Sequence, residues 1–229
     1  MERFFSPCPR GLEEALAAEL ARLGAQAVAP VDGGVGFEGP LDLAYVVNLE
    51  SRLASRVLWR VGGGPYRDER ELNALARGID WPTHFRADRT IRVDVAATRS
   101  PLRSLEFATL TVKDAVCDRF RDERGKRPSV DKRMPDVRVH AYLTDREATF
   151  YLDTSGEPLF KRGWRRDTEE APLRESLAAG LIALSLLLFG LLDLRYALAL
   201  AMVEVAFFLV VSRRVGRVAT ARRIGSIGS

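Results

Sequence analysis

Residues 137–152 read Val137-Arg138-Val139-His140-Ala141-Tyr142-Leu143-Thr144-Asp145-Arg146-Glu147-Ala148-Thr149-Phe150-Tyr151-Leu152. Val137, Val139, Ala141 and Leu143 alternate with Arg138, His140 and Tyr142, and Ala148, Phe150 and Leu152 alternate with Thr149 and Tyr151. Successive side chains of a strand point to opposite faces, so each run has one apolar and one polar face. Thr144-Asp145-Arg146 supplies the turn between them, and the pair reads as a hairpin. Strands with one polar face belong to a sheet covered by helices on one side only. The fold class is therefore α+β.

Working outward, Ile91, Val93 and Val95 alternate with Arg92 and Asp94 and predict another strand of this sheet. A long helix is predicted over Ser104 to Arg121, with Leu105, Thr109, Val112, Val116 and Phe120 as its buried stripe. Glu69–Arg77 reads as a shorter helix. Arg56–Val61 reads as a strand broken by Gly62-Gly63-Gly64-Pro65. No Lys-Ser/Thr follows those glycines, so they read as a flexible turn rather than a phosphate loop.

The first fifty residues repeat the same logic. Glu2–Phe5 reads as a strand, and Pro9-Arg10-Gly11 opens a helix with Leu12, Leu16, Leu20 and Leu23 on one face and Gly24 at its end. Ala25–Ala29 and Val35–Glu38 flank the tight turn Asp32-Gly33-Gly34, and Leu41–Leu49 reads as a helix. This β-α-β-β-α order is that of a small ferredoxin-like unit.

Lys and Arg total 35 against 31 Asp and Glu, a net charge of +4, which permits a polyanionic partner without demanding one. Cys8 and Cys117 are far apart and have no CxxC neighbour, which argues against a disulfide scaffold or a zinc site and fits a reducing compartment. The N-terminus lacks the cationic start and apolar run of a signal peptide, so the expected location is cytoplasmic. His84 and His140 have no metal-ligand partners at suitable spacing. The Asp153-Thr154-Ser155-Gly156 turn has no histidine near it and reads as an ordinary turn after a strand.

Two clusters favour nucleic acid. Arg119 to Arg138 is rich in cations that four acids partly offset, and Lys161-Arg162-Gly163-Trp164-Arg165-Arg166 has four cations and no acid. Phosphates take the charges, and an exposed base stacks on an indole. From charge and position the expected RNA contacts are Lys113, Arg119, Lys126, Arg127, Lys161, Arg162 and Arg165, with Trp164 as a stacking platform.

Ordered blocks of sequence then carry a family resemblance. They include Phe4-Phe5-Ser6-Pro7-Cys8-Pro9-Arg10-Gly11-Leu12-Glu13, Ile79-Asp80-Trp81, Gly125-Lys126-Arg127-Pro128-Ser129-Val130-Asp131 and Leu152-Asp153-Thr154-Ser155-Gly156-Glu157-Pro158-Leu159. The series ends at Ala171-Pro172-Leu173-Arg174-Glu175-Ser176-Leu177. Over residues 3–183 the chain resembles the front part of the bacterial large-subunit (23S) rRNA guanine-N2 methyltransferases that carry a THUMP domain.

The resemblance implies a ferredoxin-like domain at 1–50 and a THUMP domain at 51–160. It also implies structured RNA as partner, with large-subunit rRNA as its source, and S-adenosylmethionine as cofactor of a separate methyltransferase domain, joined in the family and otherwise supplied in trans. The family's Asp-Pro-x-x-Gly-Ser-Gly and Asn-Pro-Pro motifs are absent here, Phe160 stands where the family has His, and Ser176 where Asn is common. No catalytic residue and no cofactor site is therefore expected in this chain.

A basic linker, 161–176, leads to an apolar segment, 177–211, and a basic flexible tail, 212–229. A single membrane span needs about 20 apolar residues. One span here would bury Asp193 and Arg195 centrally, at about 2.5–3.5 kcal/mol per charge. Two short helices with the Asp193–Arg195 stretch at their junction avoid that. Three origins stay open for the segment: a frameshifted remnant, a membrane anchor fused to an RNA-binding module, or a soluble helical pair that packs on a partner. The alternative function is thus a membrane-associated protein or a non-catalytic RNA adaptor anchored by this tail.

Overall fold

The computed structural model describes residues 1–161 and 175–191. Residues 1–180 form one compact unit, and 181–191 are the described part of a second. The elements are β1 (Glu2–Pro7), α1 (Glu13–Arg22), β2 (Gln26–Val31), β3 (Gly34–Gly39), α2 (Leu43–Glu50), β4 (Leu58–Pro65), α3 (Glu69–Gly78) and α4 (Trp81–His84). They continue with β5 (Ile91–Ala97), α5 (Leu105–Arg124), β6 (Val137–Leu143), β7 (Glu147–Asp153) and α6 (Glu175–Leu191).

All seven strands share one sheet in the order β2-β3-β1-β4-β7-β6-β5. β5 and β6 run parallel, and the other neighbours are antiparallel. The hairpin predicted at 137–152 is β6–β7, and β5 lies beside β6 as its alternation required. One row of register partners, Phe37–Phe4–Trp59–Leu152–Val139–Val93, crosses the sheet and carries the core on one face. Trp59 packs against both core clusters, one built with α1 and α2 and one with α3, α4 and α5.

Local chemistry sets the helix ends. Asp68 accepts the Glu71 N–H at 2.8 Å and Ser104 accepts the Phe107 N–H at 3.2 Å, N-caps that each contribute about 1 kcal/mol. Gly125, at φ 66°, is the left-handed residue that closes α5. Trp81 is fully buried and donates its indole N–H to the Ala76 carbonyl at 2.7 Å, so its one polar group stays paired.

Two expectations are corrected. Gly62-Gly63-Gly64-Pro65 does not break the strand: β4 runs through it, pairing Gly62, Gly63, Gly64 and Pro65 with Phe150, Thr149, Ala148 and Glu147. The glycines are there for close approach. A Cβ at Gly62 would lie 2.7 Å from Ile79, and one at Gly63 would lie 2.6 Å from the Ala148 carbonyl oxygen. The irregular register between Arg60 and Gly62 adds a bulge. The buried stripe of α5 is also rotated at its N-terminal end. Ala108 is buried in the core with α3 and α4, and Leu105 is 43% exposed.

In the C-terminal part of the unit, Leu177 and Ala179 of α6 pack against the core formed with α1 and α2. The rest of the apolar segment, 192–211, lies outside the described residues. No helix among the described residues is long and apolar enough to cross a membrane.

Candidate nucleic-acid interface

The predicted contacts divide by the partners they find. Lys113 lies on α5, only 25% exposed, with Nζ 2.8 Å from Asp114. Arg119, further along α5, is shared between Asp80 at 3.3 Å and Glu123 at 3.2 Å. Arg121 and Arg124 pair with Asp118 and Glu123 in the same way. The helix-borne cations are therefore largely neutralised within the protein.

The loop after α5 differs. Lys126 and Arg127 are exposed and carry no ion pair among the described residues, and Arg127 lies beside the buried Cys117 sulfur. Lys132 and Arg133 are equally exposed and make no ion pair among the described residues. The sequence reading did not select these two. The usable signal was Asp131, whose carboxylate accepts the N–H groups of Arg133 at 2.8 Å and Met134 at 3.1 Å and so turns the chain outward there.

The loop is held to the sheet edge. Ile91 N–H donates to Ser129 O at 2.8 Å, Asp131 N–H donates to Ile91 O at 3.1 Å, and Arg92 donates to Lys132 O at 3.1 Å. Asp136 closes the far end by accepting Thr90 N–H at 2.8 Å. That bond, above all, holds the Asp136 carboxyl below its usual range. Four exposed cations that make no ion pair among the described residues thus sit on a backbone anchored along β5. Phosphate contacts from such a surface position a nucleic acid without reading its sequence.

Lys161 is exposed and pairs with Glu157 at 3.5 Å. Arg162, Trp164 and Arg165 lie outside the described residues. Lys161 follows the turn after β7, whereas Lys126 and Arg127 follow α5.

Three other polar groups singled out in the sequence are structural. His84 packs edge-on against Trp59 with ring centroids 4.9 Å apart, and burial lowers its pKa. Ser155 Oγ accepts the Val57 N–H at 2.8 Å, which makes its turn a clasp rather than a nucleophile. Burial, then Glu13, pushes the Cys8 thiol up to about 11. Among the described residues no group of His, Cys, Asp or Glu could hold a metal ion.

A methyl-donor site needs a parallel α/β sheet with a glycine-rich turn at a strand's C-terminal end. The described residues have one parallel pair, β5–β6, and the segments after these strands, Thr98–Ser104 and Thr144–Arg146, contain no glycine. They do not fit S-adenosylmethionine.

A family model described as the THUMP domain matches residues 66–153, and one described as the RlmL ferredoxin-like domain matches residues 3–58. The described fold is thus a ferredoxin-like domain and a THUMP domain sharing one mixed sheet.

The ribosomal RNA large subunit methyltransferase K/L of Psychromonas ingrahamii is 43% identical over 182 residues, 80% of this chain and 24% of that protein. Its counterpart in Aeromonas hydrophila is 42% identical over 185 residues, 81% of this chain and 26% of that protein. Over that stretch the chain is similar to these ribosomal RNA large subunit methyltransferases K/L, and it spans about a quarter of their length.

Two solved structures are similar over 80% of this chain and 48% of their own. One, from Listeria monocytogenes, is described as a predicted N6-adenine-specific DNA methylase, with TM-score 0.72 and 28% identity. The other is SMU.472 complexed with SAH, with TM-score 0.70 and 27% identity.

Proposed function

We propose that this chain binds structured RNA and serves as the substrate-recruiting portion of an S-adenosylmethionine-dependent rRNA guanine-N2 methyltransferase. The carrying observation is the loop at 125–136, where Lys126, Arg127, Lys132 and Arg133 are exposed and make no ion pair among the described residues, on a backbone anchored to β5. The α5 arginines are taken up by ion pairs, whereas Asp131 and Asp136 in this loop bond backbone N–H groups instead of pairing with these four cations. The matches to a THUMP domain and to rRNA methyltransferases support RNA as the polyanion, with large-subunit rRNA as its source. On this reading residues 1–50 and 51–160 act together as the RNA-holding module in the cytoplasm. Arg162, Trp164 and Arg165 extend its contacts, and the methyl donor is bound by a separate methyltransferase domain, in cis or in trans.

Filter binding to large-subunit rRNA fragments tests the reading. The affinity should fall steeply with salt, and an affinity indifferent to salt would reject phosphate-led binding. A second function for the C-terminal segment, attachment to a partner, is favoured by Leu181, Ile182, Leu184 and Leu186 of α6, each at least half exposed. Deleting residues 181–229 should then leave RNA affinity intact and abolish recovery of a methyltransferase activity supplied in trans.

A further inference from the structure

The polar face of the sheet is a second surface, and we propose that it holds an extended single-stranded segment of RNA. This rests on the RNA-binding reading above and assigns it a place in the fold that the loop cations do not occupy. Register brings Arg60, Tyr151, His140 and Asp94 into one row across β4, β7, β6 and β5. Gly63, Thr149, Tyr142 and Ala96 form the next row. On the other side of the first row, Arg92 and Arg138 are direct partners across β5 and β6. The helices bury the alternate side chains, Val93, Val139, Ala141, Phe150 and Leu152, on the opposite face.

The arginines point to an anion. Like charges directly opposite on neighbouring strands are destabilising, so Arg92 facing Arg138 needs a compensating gain. Each is offset by one acid at its margin, Arg92 by Asp94 at 2.8 Å and Arg138 by Glu157 at 3.5 Å. Arg60 has no ion pair among the described residues. A phosphate backbone laid across the row removes the repulsion and releases counterions.

The tyrosines point to bases. Tyr142 is 41% exposed and donates its hydroxyl to Thr98 Oγ1 at 2.9 Å, which holds its ring in one place at little further entropy cost on binding. Tyr151, two residues from Thr149 on the same face, sets its ring 6.3 Å from Phe5. Bases reach such rings only when they are not already stacked in a helix, so the occupant is single-stranded.

The test uses the full chain and a fluorescent single-stranded RNA about ten nucleotides long, titrated at several salt concentrations. Tyr142→Ala should weaken binding about tenfold, and Tyr142→Phe should retain most of it. Arg60→Gln, which removes a cation with no ion pair among the described residues, should lower the salt slope by about 1. Thr149→Glu places a carboxylate in the second row, beside Tyr142, without removing a core group and should weaken binding at least as much.

Ultraviolet cross-linking of the wild type should label peptides containing Tyr142 or Tyr151, a readout that does not depend on a variant folding. Wild-type binding with undiminished affinity in all the variants, or cross-links confined to residues 126–133, would overturn the sheet-face site and leave the RNA reading standing. A wild type that binds no RNA at low salt would overturn both.

Discussion

Arg56 and Asp153, 97 residues apart in the chain, form a buried ion pair that ties the approach to β4 to the end of β7. The Asp153 side chain is fully buried, and Arg56 also donates to the Gly156 carbonyl at 2.7 Å. Around the pair, Thr154 N–H donates to Val57 O at 3.0 Å and Asn48 donates to Thr154 Oγ1 at 2.9 Å. The clasp joins the end of the ferredoxin-like match to the end of the THUMP match.

Asp153→Asn should cost about 3–5 kcal/mol, because it leaves the largely buried Arg56 guanidinium without its counter-charge. Urea unfolding monitored by tryptophan fluorescence measures this. A loss under 1 kcal/mol would mean that the pair is solvated and dispensable.

The same carboxylate gives the fold an acid limit. Burial alone would raise the Asp153 pKa, but the His140 ring, the Ser155 N–H and the Arg56 guanidinium together outweigh burial and hold it below the ordinary 3.8. A depressed folded pKa stabilises the fold above the unfolded value, and that stability disappears as pH falls through the folded one. Wild-type stability should therefore decline below about pH 4 more steeply than that of Asp153→Asn. Parallel pH-dependence in the two proteins would count against the assignment.

Glu19 is buried and accepts from the Ser51 hydroxyl and from the N–H groups of Arg52 at 3.0 Å and Leu53 at 3.4 Å, fastening the turn after α2 to α1. Glu19→Ala leaves these donors unsatisfied and should lower stability by about 2–3 kcal/mol in denaturant titration.

The β4 glycines should rank by what a methyl group would meet. Gly63→Ala meets the Ala148 backbone carbonyl and should cost about 2–3 kcal/mol. Gly64→Ala meets the movable Leu75 side chain at 3.0 Å and should cost under about 1 kcal/mol. Melting temperatures of the two variants decide the order.

Free and paired cations should separate in RNA binding. Lys126→Ala with Arg127→Ala should lower the salt slope by about 2 without changing stability. Arg119→Ala should leave the slope nearly unchanged, because Asp80 and Glu123 already neutralise that guanidinium. A loss of slope at Arg119 equal to that at Arg127 would place RNA on α5 after all.

The period-2 alternation at 91–95, 137–143 and 148–152 and the leucine spacing of α1 determined the elements from sequence alone, because local periodicity reports which face of a strand or helix meets the core. Charge composition likewise located the cationic segments. The tertiary structure decided which of those charges are available, since Arg119 finds Asp80 from a distant element while Lys132 makes no ion pair among the described residues. It also turned Gly62-Gly63-Gly64 from an apparent break into strand, because the need for glycine there comes from Ile79 and the Ala148 carbonyl packed against it. The pairing of Arg92 with Arg138 and of Arg56 with Asp153 depends on strand register, which no local pattern encodes. Sequence determines what each segment can become; long-range packing decides which side chains are neutralised, which are buried, and which face remains open.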